Sequence, residues 1–94
     1  MEQAEKILRR WRQQRPRDGV DERDAIRVME HLGMDIRVGG EGHVIGFHKK
    51  LVGSAQFPMG TITVNSHAFG RQGTVHPKAI HDIVKAAIIL EGEE

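Results

Sequence analysis

Six histidines and no cysteine set the chemistry open to this 94-residue chain. Histidine takes or gives a proton near neutral pH, because its ordinary pKa is about 6.5. The stretch GGEGHVIGFHKK, residues 39–50, concentrates what such chemistry needs. His43 follows a turn of glycine and polar residues, and His48, Lys49 and Lys50 follow a short apolar run. Two readings fit it. One is a hairpin turn with a strand behind it. The other is an RNA-handling site centred on His43. A histidine placed there can act as general base or general acid. Gly39, Gly40 and Gly42 would let backbone N–H groups approach a phosphate, and Lys49 and Lys50 would offset its charge. His67 is the second catalytic candidate, and His48 is read as RNA-facing or simply exposed.

A metal centre is the chemical competitor. His43 with His48, or His76 with His81, could supply ligands, but both pairs are five apart, which does not suit one helix face. The H-E-x-x-H spacing is missing. No metal and no cofactor is expected. The absence of cysteine removes disulfides, thiolate catalysis and cysteine-based zinc sites, and fits a reducing compartment. No apolar run approaches a membrane span and the N-terminus lacks a signal-like apolar core, so a cytoplasmic protein without membrane contact is expected.

These residues need elements to position them. Ala4, Ile7, Leu8 and Trp11 form one helical stripe over residues 2–14, with arginines on the other faces. Pro16, Asp18 and Gly19 end it in a linker. Asp21 caps a second helix whose stripe is Ala25, Val28, Met29 and Leu32, and Gly33 suits its end. The period then changes from 3.6 to 2. Met34, Ile36 and Val38 alternate with polar residues, which predicts a half-buried strand. Residues 43–49 predict a second strand, with Gly46 as a bulge or a close-approach point. Residues 51–60 read as a loose connection. TITVN predicts a third strand with Ile62 and Val64 on one face, and residues 66–73 read as a loop. Pro77 opens a last helix striped by Ile80, Ile83, Val84, Ala87 and Ile88. The expectation is an α+β fold of order α-α-β-β-β-α, a three-stranded antiparallel sheet with helices on one face. Residues 1–20 form a basic helical extension and linker, and 21–94 the domain. Strict alternation puts His43 on the face of Ile45 and Phe47, which by apolar content is the expected core face.

From Asp21 onward the chain resembles HicA-type toxins, small bacterial ribonucleases of toxin–antitoxin pairs. The helix corner MEHLGM, the GEGH before the second strand, VNSH after the third and the closing DIVKAA follow that family's order over roughly residues 21–90. Gly42 stands where the family has Ser, and Asn65 where it has Pro. The resemblance implies a fold like the double-stranded RNA-binding domain and metal-independent endonuclease activity on messenger RNA. It also implies a HicB-like antitoxin as protein partner and His43 as the catalytic residue. Two other functions compete: a non-catalytic RNA-binding module on the same fold, and a protein-interaction domain. Base-stacking readout has few aromatic residues to draw on, since the chain has no tyrosine and only Phe47, Phe57, Phe69 and Trp11.

Overall fold

A computed structural model describes residues 2–17, 19–38, 43–65 and 74–92. Its elements are α1 (Glu2–Gln13), β1 (Val20–Asp21), α2 (Glu22–His31), β2 (Asp35–Val38), β3 (His43–Val52), β4 (Met59–Asn65), β5 (Thr74–Val75) and α3 (Pro77–Glu91). The main sheet is antiparallel in the order β2-β3-β4, and β1 pairs with β5 in a separate two-stranded ribbon. The α+β expectation therefore holds, with the short β1–β5 pair added. Two residues carry too little periodicity to be read in advance. Among the described residues no helix is long and apolar enough to cross a membrane.

Helix α1 belongs to the domain core and is not an extension. Ala4, Ile7, Leu8 and Trp11 are all buried, and the helix packs on α2 and α3. The linker after it also takes part, because Val20 pairs with Val75 and Asp21 with Thr74. An ion pair from Arg12 Nη2 to Glu91 Oε1, 2.5 Å, joins the last turns of α1 and α3. Both side chains remain substantially exposed, so solvent screening leaves this pair little weight beside the buried apolar stripe.

Helix α2 starts and stops as its sequence requires. Asp21 Oδ1 accepts the backbone N–H of Arg23 at 2.9 Å, and Arg23 Nη2 donates to Asp21 Oδ2 at 3.1 Å. At the other end Gly33 has φ +87°. Its N–H donates to the Glu30 carbonyl at 3.0 Å, and that of Met34 to the Met29 carbonyl at 3.1 Å. This left-handed cap satisfies carbonyls the helix cannot pair internally. The Arg23 side-chain bond, then its backbone bond, holds the Asp21 carboxyl below the ordinary carboxylate value. A depressed folded-state pKa stabilises the fold above the unfolded value and loses that effect as pH falls through the folded one. Asp21→Ala should therefore cost about 1 kcal/mol at pH 7, roughly 4–8 °C in Tm. Thermal melts of both proteins should converge as pH drops below about 3.9. A constant gap down to acid pH would contradict the cap's ionic part.

The core face of β3 reverses the expected one, while Ile62 and Val64 share one face of β4 as predicted. Val44, Ile62 and Val64 are buried, while Ile45 is half-buried and Phe47 is 38% exposed. Gly46 explains why. A Cβ there would stand 3.0 Å from Met29 Sδ and 3.2 Å from Met34 Sδ, so two thioethers from the α2 corner fill the space over this glycine. The residue is a close-approach point, and the bulge lies beyond it, between Phe47 and Val52. Val38, the last residue of edge strand β2, is 76% exposed, where alternation predicted partial burial. Ile88, expected in the α3 stripe, is likewise exposed, at the helix end.

Strand β3 runs on to Val52, and β4 begins at Met59, so the loose connection shortens to residues 53–58. Leu51 and Phe57 are buried there, and Val52 pairs with Met59. Gly60 makes the irregular pairing possible. Its φ is +76°, and a Cβ would lie 2.7 Å from Val52 Cγ2 and 2.9 Å from the His48 carbonyl oxygen. Left-handed backbone costs a non-glycine residue roughly 1–2 kcal/mol before any clash. Gly60→Ala should lower stability by about 2 kcal/mol in urea unfolding. An unchanged midpoint would show that the bulge tolerates a side chain.

Candidate functional site

Pleating sorts the site residues by face. Antiparallel partners lie on the same side of a sheet. Asp35, Phe47 and Thr61 form one row, Arg37, Ile45 and Thr63 the next, and His43 and Asn65 the row at the end. These rows make the face opposite Val44 and Ile62. Helices α2 and α3 pack against the sheet, and with Val44, Ile62 and Val64 they build the core. His43, the first residue of β3, thus stands half-buried on this face, open among the described residues, and not among core residues.

His43 has a side-chain neighbour. Asn65 Nδ2 and His43 Nε2 lie 3.4 Å apart. The amide N–H donates across this contact in the tautomer that leaves Nε2 without a proton. Asn65 also lines a groove of about 360 Å³ where β4 meets the start of α3, together with Thr63, His76, Lys78, Ala79 and Asp82. One amide therefore joins the histidine to a polar groove that holds a second histidine, a lysine and an aspartate. Sequence spacing did not single out this groove, because it depends on how the start of α3 packs against β4. The pairing of His43 with Asn65 is the signal that could have found it.

The other nominated residues divide. His48 is half-buried, and its Nδ1 accepts the backbone N–H of Lys50 at 3.1 Å. Its Nε2 faces Gly33, where a Cβ would lie 3.5 Å away. These contacts give His48 a local structural role beside the bulge. Lys49 and Lys50 are exposed. They lie six and seven residues along β3 from His43, roughly 20 Å at about 3.3 Å per residue. The fold therefore does not bring them to the histidine. His76 caps α3 by accepting the Lys78 N–H at Nδ1, 3.0 Å. His31 and His81 are exposed on helices. His67, Gly39, Gly40 and Gly42 lie outside the described residues. Among those described, no group of three or more His, Asp or Glu side chains is placed to hold a metal ion.

No family model matches the chain, and no curated protein or solved structure matches it either.

Proposed function

We propose that this protein is a metal-independent endoribonuclease of the HicA type, cleaving messenger RNA in the cytoplasm and held inactive by a HicB-like antitoxin. The observation that carries the reading is His43 on the open sheet face, with Nε2 directed at Asn65. The element order α2-β2-β3-β4-α3, with helices against one face of the sheet, supports it and accords with a fold like the double-stranded RNA-binding domain.

The reaction follows from the side chains. An RNA strand laid on the open face displaces the Asn65 contact and brings a 2′-hydroxyl to Nε2 of His43. The imidazole takes its proton, and the oxygen attacks the adjacent phosphorus. The O5′–P bond breaks, leaving a 2′,3′-cyclic phosphate and a free 5′-hydroxyl. That departing oxygen needs a proton, and the second histidine the sequence offers for the step is His67. Lys78, exposed on the rim of the neighbouring groove, offsets phosphate charge. Lys49 and Lys50 serve phosphates farther along the strand. The antitoxin acts most simply by covering the open face.

Induced expression in growing cells tests this. Growth arrest with loss of intact transcripts is expected for the wild-type chain. Normal growth with intact transcripts would remove the toxin reading.

A second reading, a non-catalytic RNA-binding module, is favoured by where the cations lie. Six of the 14 Lys and Arg residues fall within residues 1–17. Among the described residues Arg9, Arg10 and Arg17 form no ion pair. That reading predicts salt-sensitive RNA binding without strand scission.

A further inference from the structure

Among the described residues Phe47 is the exposed aromatic side chain of the open face. It sits on the central strand, on the same side as His43 and four residues along, roughly 13 Å at about 3.3 Å per residue. Ile45 is its same-face neighbour along β3, and polar residues lie across the strands on either side. Asp35 and Thr61 flank it across the two neighbouring strands, and Arg37 and Thr63 occupy the next row toward His43. Neither Asp35 nor Arg37 forms an ion pair among the described residues. A ring flanked across both neighbouring strands by hydrogen-bonding side chains suits a planar base, which stacks on the ring and is read at its edge.

The carboxylate decides what part of an RNA strand fits this row. Asp35 repels a phosphate but accepts a hydrogen bond from an exocyclic amine. A nucleobase therefore belongs at Phe47, with the phosphate backbone running by Arg37 toward His43. Adenine, cytosine and guanine carry such an amine, and uracil does not.

We propose that Phe47 and Asp35 form a base subsite for single-stranded RNA, with Phe47 as stacking platform and Asp35 as acceptor for the exocyclic amine of the stacked base. The proposal rests on the reading of the open face as an RNA surface and adds a specificity determinant to it.

There is a competing structural account of Phe47. Its ring edge lies over Gly60, where a Cβ would come within 3.1 Å of Cε1. The ring could serve only to cover that glycine, a recognised use of cross-strand aromatics. Leucine would cover it too but offers no π-face, so Phe47→Leu separates the two.

The experiment measures binding of short 2′-O-methyl oligocytidine and oligouridine, which cannot be cleaved through the 2′-oxygen, to the full-length wild-type protein and to variants of matched thermal stability. Cleavage of unmodified RNA is followed in parallel. Wild type is expected to prefer the cytidine strand. Phe47→Leu and Phe47→Ala should weaken binding to it roughly 5- to 150-fold, and Phe47→Trp should retain it. Asp35→Asn should bring the cytidine affinity close to that for uridine. Wild-type affinity in Phe47→Leu would overturn the subsite, and if the wild type still cut RNA the ribonuclease reading would survive. No RNA binding by the wild type would overturn both. Intact RNA binding in Phe47→Leu with lost association to a protein partner would reassign the ring to a protein interface.

Discussion

His43→Ala should reduce RNA cleavage by roughly 10²- to 10⁴-fold, the usual contribution of a positioned proton-transfer group. The substitution removes the proposed base and leaves the fold in place. His43 is half-buried at the start of β3 on the open face, outside the cluster of buried side chains that forms the core. Its thermal midpoint should therefore stay near that of the wild type, because substitutions outside the core usually cost little. Rate and stability thus move separately, which a structural role would not allow. Asn65→Ala provides the companion measurement. Asn65 meets Nε2 only until substrate displaces it and transfers no proton, so its loss should slow cleavage less than loss of His43 itself. Equal cleavage by wild type and His43→Ala would remove the proposed mechanism.

Trp11→Ala should destabilise the protein by about 3–5 kcal/mol, the cost of emptying a large aromatic site in a core. Trp11 is only 5% exposed and joins Ile7 and Leu8 in the cluster that includes Val28, Ile80 and Val84. A domain of this size has a total stability on the order of 5–14 kcal/mol, so the variant should melt at least 10 °C lower, by about 4–8 °C per kcal/mol. Trp11→Phe, which keeps an aromatic body in the pocket, should lose much less. Unfolding followed by far-ultraviolet circular dichroism avoids reporting on the tryptophan itself. A midpoint within a degree or two of wild type would make α1 a dispensable extension, as its sequence position first suggested.

Helical order was legible because its signals are local. The four apolar residues of α1, the Asp21 cap and the Gly33 terminus all act within a few residues, and each appears as the sequence predicts. The face of the central strand was not legible from that strand alone. His43, Ile45 and Phe47 carry more apolar surface than Val44 and Gly46, so alternation favoured the wrong side. What reverses it is non-local: Met29 and Met34 arrive from the α2 corner and occupy the volume above Gly46. Burial at a glycine depends on what its neighbours bring, which no periodicity records. The contact between His43 and Asn65 was hidden for a related reason. Twenty-two positions separate them, and only the β3–β4 register places them opposite each other. Lys49 and Lys50 show the converse. Nearness in sequence suggested a shared site with His43, and an extended strand carries them away from it.

In the proposed reaction His43 drives attack by a 2′-oxygen without a metal. The most direct test incubates purified full-length protein with end-labelled single-stranded RNA in excess EDTA and identifies the new termini. Cleavage should survive EDTA, leave 2′,3′-cyclic phosphate and 5′-hydroxyl ends, and be lost in His43→Ala. Products with 5′-phosphate ends, or cleavage abolished by EDTA, would contradict it.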